Sequence, residues 1–211
     1  MNRAIKIKVL QSMQGDLEYF AWSEKINRRY CERHGYEYVV SRDEARQDRH
    51  VNWQKIPDIL HHLNDCDYLL FLDADAHFYS HELKIEEELI PLMAGRKILM
   101  AQDIGDESLR WYPGLPNAGV ILMKTDERVR KFFELWDRCP ELEEDCRWKW
   151  PPLQRGLWNV VLPTFPDLVE THSEYYMIQG RYGQYIRHYV FMPNEERTRK
   201  LREFCERRNI K

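Results

Sequence analysis

Apolar residues recur along the first two-thirds of the chain with the spacing of buried strands. Ile5–Leu10 alternates apolar residues with lysines, and the β-rich stretch Tyr36–Val40 comes next. Tyr68–Leu72 is a continuous apolar run, which is typical of a strand buried on both faces of a sheet. Ile98–Ala101 and Gly119–Met123 have the same character. The pattern therefore predicts strands in all of these segments.

Helical spacing of apolar residues appears between the predicted strands. Residues 17–34, 52–63 and 83–93 each fit a helix, and Thr125 is a suitable cap for another. The charged tail, residues 194–211, predicts a last helix whose basic residues form a solvated face. Strands that alternate with helices are typical of an α/β fold with a single, mostly parallel sheet flanked by helices.

Composition and charge exclude several classes of function. Hydrophobic residues make up 43% and charged residues 32% of the 211, and the net charge is −3 at pH 7. Broad electrostatic binding to nucleic acid or to anionic membrane is therefore not expected. The first residues lack the apolar stretch of a signal peptide, and no run is long enough to span a membrane. The five cysteines lack zinc-like spacing and suggest reduced thiols, so we expect a cytoplasmic protein.

Two Asp-x-Asp triplets flank the apolar run Tyr68–Leu72. Asp65-Cys66-Asp67 precedes the run and Asp73-Ala74-Asp75 follows it. Ligands of open α/β sheets bind outside the carboxyl ends of the strands, so position favours the second triplet, and the first is interpreted as a polar turn. Asp-x-Asp is common by chance, and a capped, solvated turn is the alternative interpretation of the second triplet as well.

Paired carboxylates at this edge suit a hard divalent cation. Such a cation bridges carboxylate and phosphate oxygens, and it stabilises the negative charge that grows on a departing diphosphate. Carboxylates alone would repel a nucleotide diphosphate. Asp73 and Asp75 therefore predict a metal-assisted nucleotide site.

Three segments resemble the glycosyltransferases of the GT-A fold, especially the galactosyl- and mannosyltransferase group: Trp53–Ile56, Leu70–Asp75 and Pro116–Val120. The resemblance covers about residues 1–192 and implies a nucleotide-diphospho-sugar transferase fold with a Rossmann-like sheet. It implies a UDP-sugar donor, a carbohydrate or glycan acceptor, and Mn²⁺ or Mg²⁺. The chain also resembles the N-terminal catalytic domain of large chlorella-virus glycosyltransferases. That likeness implies a place in a larger multidomain chain and, for a viral protein, work in the host cytoplasm.

The resemblance assigns roles on the donor side of the site. It implies that Gln11 and Ser12 meet the base or the ribose, and that Lys55 reaches the diphosphate or the sugar. It makes Asp73-Ala74-Asp75 the metal and nucleotide motif.

The resemblance also assigns residues around the sugar. It implies that Asn117, Ala118 and Gly119 lie against the donor sugar, where a missing Cβ permits close approach. It aligns Gln154 with a polar residue that faces the anomeric centre in retaining members, although Leu153 stands where the group has an acidic neighbour. It implies His188 as a third metal ligand; an ordinary, partly buried histidine is the alternative.

Asp103 and several aromatic residues complete the candidates. Asp103 follows the strand Ile98–Ala101, and it suits either an acceptor-binding or base role or a simple turn. Aromatic side chains in irregular segments stack on sugar rings or fill the core, and Tyr112 is the strongest candidate for stacking. The others are Trp111, Trp148, Trp150 and Trp158.

Together, the residues and the resemblance predict transfer of a hexosyl or deoxyhexosyl group from a UDP-sugar to a carbohydrate hydroxyl, with a divalent metal and with retention. We expect one catalytic domain: about residues 1–125 for donor and metal, about 126–192 for the acceptor, and a C-terminal helix at 194–211. One alternative is a phosphatase of the haloacid-dehalogenase type with Asp73 as nucleophile, although Ala76-His77-Phe78 lacks that family's threonine. The other is a non-catalytic module that binds nucleotide sugars.

Overall fold

Eight strands form two sheets in the parts of the chain that this computed structural model describes, residues 3–103, 115–173 and 178–210. Six strands make the main sheet in the order β2-β1-β3-β6-β5-β7, and β4 and β8 make a small second sheet. The strands are β1 (Ile7–Ser12), β2 (Glu37–Ser41), β3 (Tyr68–Asp73), β4 (Ala76–Phe78), β5 (Ile98–Gln102), β6 (Pro116–Lys124), β7 (Val169–His172) and β8 (Ile186–His188).

Helices of very different length flank the main sheet, which confirms the predicted α/β architecture. They are α1 (Glu18–His34), α2 (Lys55–His62), α3 (Ile85–Glu88), α4 (Glu127–Leu142), α5 (Asp145–Trp148), α6 (Pro152–Gly156), α7 (Leu162–Thr164) and α8 (Asn194–Arg208). Short 3₁₀ turns cover Val51–Gln54 and Pro91–Met93, and a π-helical turn covers Leu157–Val161.

Two helix predictions need correction. Residues 83–93 form the short helix α3 and a separate 3₁₀ turn, because Pro91 has no N–H with which to continue a helix. The cap of α4 is Asp126 instead of Thr125, since its side chain accepts a hydrogen bond from the backbone N–H of Arg128.

Strand β6 runs against its neighbours, which changes the edge at which its first residues lie. The pairs β1–β2, β1–β3 and β5–β7 are parallel, whereas β6 is antiparallel to both β3 and β5. Leu72, near the end of β3, lies opposite Val120 in the middle of β6, and the earlier residues of β6 continue past the end of β3. The segment Asn117–Gly119 is therefore brought beside Asp73–Asp75, at the edge where the parallel strands end.

The main sheet is buried on both faces, as the apolar run in β3 predicts. Leu69 and Phe71 belong to one core, together with Trp53 of the 3₁₀ turn and side chains of α2 and α4. Leu70 and Leu72 point to the opposite core, which includes side chains of α1, β4 and β8. Alternate residues of β3 thus fill two cores, and this burial fixes the register of the strand. The register in turn fixes where β3 ends and where the polar residues after it lie.

The last helix packs on the first and forms a third apolar cluster. Leu201, Phe204 and Cys205 of α8 meet Tyr19 and Ile26 of α1. The five cysteines are free and buried in these cores, as expected for reduced thiols. Within the described residues, none of the helices combines the length and apolarity that crossing a bilayer requires.

Candidate active site

The small second sheet brings a late histidine to the Asp-x-Asp segment. The chain leaves β3 at Asp73, turns, and enters β4 at Ala76, which lies opposite His188 of β8. The backbone N–H of Tyr189 donates to the carbonyl of Asp75 at 3.1 Å. The pairing of β4 with β8 therefore sets His188 beside both aspartates.

Asp73, Asp75 and His188 form a compact group of three potential metal ligands. One ligand atom from each lies within 4.8 Å of the others. His188 Nε2 is 3.1 Å from Asp75 Oδ1 and 3.6 Å from Asp73 Oδ2. Asp75 and His188 are buried, and Asp73 is half-buried. Two carboxylate oxygens and one imidazole nitrogen fit a divalent cation such as Mn²⁺, which accepts both ligand types.

Two basic side chains flank this group. Lys55 of α2 is buried, forms an ion pair with Asp73, and donates to the carbonyl oxygen of Ala118 at 3.1 Å. Arg197 of α8 approaches the other aspartate, with its Nε 3.1 Å from Asp75 Oδ2. Each carboxylate therefore faces the histidine on one side and a fixed positive charge on the other.

Burial and charge act in opposite directions on the titration of the group. Burial raises the pKa of Asp75, but His188 and Arg197 outweigh it and lower that pKa to about 2. Burial lowers the pKa of His188, but Asp75 and Asp73 outweigh it and leave the pKa above the ordinary value for histidine. Asp75 is thus ionised at neutral pH and attracts cations.

Gly119 makes room for the histidine, and its expected place against the donor sugar stays a prediction. A Cβ at this position would lie 2.2 Å from His188 Cε1 and 2.6 Å from His188 Nδ1. Such distances are far below van der Waals contact, so any larger residue would displace the imidazole. The backbone N–H of Gly119 donates to Asn117 Oδ1 at 2.8 Å, which fixes the neighbouring amide.

Gln11, which the resemblance places at the base or the ribose, is not among the residues that line the cavity. Its side chain is fully buried, and its Nε2 donates to the carbonyls of Asp73 at 3.0 Å and of Ala76 at 3.1 Å. The amide is used to hold the turn that carries the aspartates. Ser12, the next residue, lines the cavity, and its hydroxyl donates to Asp58.

Asp103 holds two amide side chains at the cavity wall. Its Oδ2 accepts from Asn117 Nδ2 at 3.0 Å and from Gln154 Nε2 at 3.1 Å. The structure therefore brings together three residues that were predicted to face the sugar or the acceptor, although they come from β6, α6 and the end of β5. The carboxylate acts here as a shared acceptor that orients both amides.

These groups line one cavity of about 690 Å³, a size typical of small-molecule sites. Ala74 and Ala118 line it as well, so all predicted site residues except Gln11 and Gly119 reach the cavity. Trp158 closes its inner wall and donates to the carbonyl of Pro116 at 2.9 Å. Trp150 lines the cavity and Trp148 does not. Trp111 and Tyr112 fall outside the described residues.

The first acidic triplet lies at the opposite end of β3. Asp65 has a positive φ of 61°, typical of a tight turn. Asp67 accepts a hydrogen bond from the backbone N–H of Lys6 at 2.8 Å, so its carboxylate anchors the start of the chain. The interpretation of this triplet as a polar turn is confirmed.

The sequence profile of the galactosyl transferase GMA12/MNN10 family matches residues 5–113, just over half of the chain. The chain belongs to this family. It is therefore a glycosyltransferase, and the phosphatase and the non-catalytic module are set aside. The matched segment ends before β6, so His188 and Arg197 lie beyond it. No curated protein matches the sequence.

Solved structures of other glycosyltransferases share the fold. A glycosyltransferase involved in glycosylation of the major capsid of PBCV-1 superposes with a TM-score of 0.76 at 14% identity, covering 94% of this chain and 99% of that one. GlyE of Streptococcus pneumoniae TIGR4 superposes with a TM-score of 0.57 at 13% identity, covering 98% of this chain and 64% of that one. The bifunctional glycosyltransferase WbbM superposes with a TM-score of 0.58 at 12% identity, covering 100% of this chain and 46% of that one. At these identities the likeness establishes the GT-A type fold.

Two residues that contact the cavity-lining side chains, Arg197 and Asp58, were not predicted from the sequence. Arg197 was included in a solvated basic face, yet it shares a helical stripe with Leu201 and Phe204, and an arginine on an apolar stripe is the signal that could have identified it. Asp58 is 2% exposed and accepts from Gln54 Nε2 at 2.9 Å. A carboxylate one turn after Gln54 on the apolar helix α2 was the corresponding signal.

Proposed function

We propose that the chain transfers a hexosyl or deoxyhexosyl group from a UDP-sugar to a carbohydrate hydroxyl, with a divalent cation and with retention of configuration. The observation that carries the proposal is the convergence of Asp73, Asp75 and His188 in a cavity at the carboxyl edge of the sheet. Family membership establishes glycosyl transfer. The ligand group, meaning these three side chains, could hold a cation that binds a diphosphate.

The donor side is assigned to residues 1–125. A divalent cation held by Asp73, Asp75 and His188 would neutralise the diphosphate and stabilise the charge on the departing group. Lys55 is buried between Asp73 and the carbonyl of Ala118, so its ammonium is within the donor side of the cavity and suits a phosphate oxygen. Ser12, held by Asp58, suits the nucleoside. The choice of UDP rests on the family resemblance.

The hydrogen bonds of Asp103 to two amide side chains support retention of the anomeric configuration. An inverting enzyme needs a carboxylate base within hydrogen-bond reach of the acceptor hydroxyl. Three carboxylates line the described part of the cavity: Asp73 and Asp75 belong to the ligand group, and Asp103 accepts from two amides. A phosphate oxygen of the donor can instead take the acceptor's proton. Asn117 and Gln154, oriented by Asp103, then support an oxocarbenium-like sugar.

The acceptor side is assigned to residues 126–192, which contribute Trp150, Gln154 and Trp158 to the cavity. The PBCV-1 relative takes part in glycosylation of a capsid protein. For the present chain we propose a carbohydrate hydroxyl as the receiving group.

A pair of aspartate variants tests the proposal. Asp75→Ala should lower turnover with a labelled UDP-sugar by about 100-fold or more, because it removes an electrostatic group from a preorganised site. Asp75→Asn keeps an oxygen acceptor for Arg197 and should lower turnover by a similar factor. This variant separates the effect of the lost charge from an effect on folding. Asp67→Ala should leave turnover nearly unchanged. The reverse ranking of Asp75 and Asp67 would place the site at the other edge of the sheet.

NMR of the first-formed product tests the stereochemistry. The expected product has the anomeric configuration of the donor. An inverted product, together with loss of transfer in Asp103→Asn, would make Asp103 the base and overturn the retaining mechanism.

A further inference from the structure

Large exposed apolar side chains are concentrated at the mouth of the candidate cavity. Eight such residues are exposed in the described parts of the chain, and five of them line this cavity. The five are Leu17, Val51, Trp150, Tyr182 and Phe191. Single exposed apolar residues are ordinary, but a cluster on one site marks a surface that binds something.

Trp150 and Phe191 form an aromatic pair within this cluster. Their ring centroids lie 6.0 Å apart with an interplanar angle of 64°, and the side chains are 43% and 58% exposed. They come from different parts of the fold: Trp150 lies just before α6, which carries Gln154, and Phe191 lies three residues after His188. The pair therefore joins the wall that holds Gln154 to the strand that holds the candidate metal ligand.

Phe191 adopts a strained backbone to place its ring there. Its φ is +57°, in the left-handed region that a bulky L-residue rarely adopts. The strain is not offset by burial of the ring, because more than half of the side chain is exposed. Strained residues that expose a side chain at a cavity are characteristic of ligand contacts.

The chemistry of the mouth fits a sugar ring. Aromatic faces supply an apolar surface for the C–H face of a pyranose, and neighbouring polar groups can meet its hydroxyls. Asn52 and Arg181 line the same cavity as the aromatic pair. An alkyl chain would leave such polar groups without partners, which is unfavourable.

We propose that Trp150 and Phe191 form a stacking platform for a pyranose ring of the carbohydrate acceptor and thereby determine which glycans are used. This inference rests on the proposed function, because it assumes that the deep part of the cavity holds the UDP-sugar. The platform binds the acceptor and takes no part in bond breaking. Its loss therefore affects the KM for acceptor and leaves donor binding intact.

Alanine variants of the two rings test the platform, with a matched tryptophan as control. The acceptor probe is the first methyl hexopyranoside or oligosaccharide of a panel to which the wild-type protein transfers sugar. Trp150→Ala and Phe191→Ala should each raise the KM for this acceptor by about tenfold, with kcat changed less than about twofold. Trp150→Phe should restore most of the lost affinity. Trp148→Ala, an exposed tryptophan outside the cavity, should match wild type.

Other outcomes distinguish this inference from the proposed function. Failure of the wild-type protein to transfer sugar to any member of the panel would contradict the proposed function itself. Normal transfer with an unchanged KM in both alanine variants would overturn the platform alone. Weaker UDP binding in Trp150→Ala would make the ring a nucleobase contact. An effect seen with octyl glycosides and absent with methyl glycosides would make it an aglycone contact, and either result overturns the inference.

Discussion

His188 is held between two carboxylates and a glycine. Its Nε2 faces Asp75 and Asp73, while the other edge of its ring occupies the space that a side chain on residue 119 would fill. The backbone N–H of His188 donates to the carbonyl of Gly180 at 3.1 Å. At this position the absence of a Cβ thus serves the protein's own histidine, and the geometry of the ligand group depends on it.

Gly119→Ala should destabilise the protein by about 1–3 kcal/mol, because the new methyl group overlaps the imidazole in a packed site. Chemical denaturation measures the change in the free energy of unfolding. The matched background is His188→Ala, in which the same glycine substitution should cost much less, since only the 3.1 Å contact with Asn117 Oδ1 remains. An equal loss of stability in both backgrounds would show that the methyl group meets something other than His188.

The C-terminal helix α8 reaches the active site through one residue. Arg197 Nε lies 3.1 Å from Asp75 Oδ2 and 3.1 Å from the carbonyl of Tyr189, and its guanidinium carbon lies 5.3 Å from the centre of the Tyr19 ring. The arginine is thereby fixed on three sides. Helix α8 therefore supports one carboxylate of the candidate metal site.

Arg197→Leu should lower the free energy of unfolding by about 3 kcal/mol, because it leaves Asp75 buried without its cationic partner. Arg199→Leu on the same helix is the control, since the Arg199–Glu203 pair is exposed and contributes little. Thermal or chemical unfolding of both variants provides the comparison. If Arg197→Leu were as mild as Arg199→Leu, the contact with Asp75 would have no role in docking the helix.

Strands and helices whose apolar residues recur at regular spacing could be predicted from the sequence. The direction in which each strand runs in the sheet could not. The apolar run of β3 located Asp73 and Asp75 at a ligand-binding edge. The antiparallel direction of β6 leaves no mark in a continuous apolar segment, so the position of Asn117 beside them came only through the resemblance. The hydrogen bonds of Gln11 could not be predicted either, because an amide at the end of a strand can bind a ligand or the backbone, and the tertiary fold decides which.

At the scale of the whole molecule, binding of a polyanion depends on a local arrangement of charge. The chain carries a net charge of −3, so its overall field does not attract a nucleotide diphosphate. Lys55 and Arg197 contact the two aspartates, and Arg181 lines the same cavity. The basic residues lower the repulsion, but the carboxylates still face the site. In the proposed mechanism, a bound divalent cation would convert that acidic group into a site for diphosphate.

Calorimetric titration of UDP into the protein, with Mn²⁺ and with a chelator, tests this central claim most directly. Affinity should be about 100-fold higher with Mn²⁺, equivalent to about 3 kcal/mol of binding free energy, because the cation joins the carboxylates to the diphosphate. The same advantage should disappear in Asp75→Asn. Equal affinity for UDP in the presence of Mn²⁺ and of the chelator would contradict the account, since the group of Asp73, Asp75 and His188 would then have no part in holding the nucleotide.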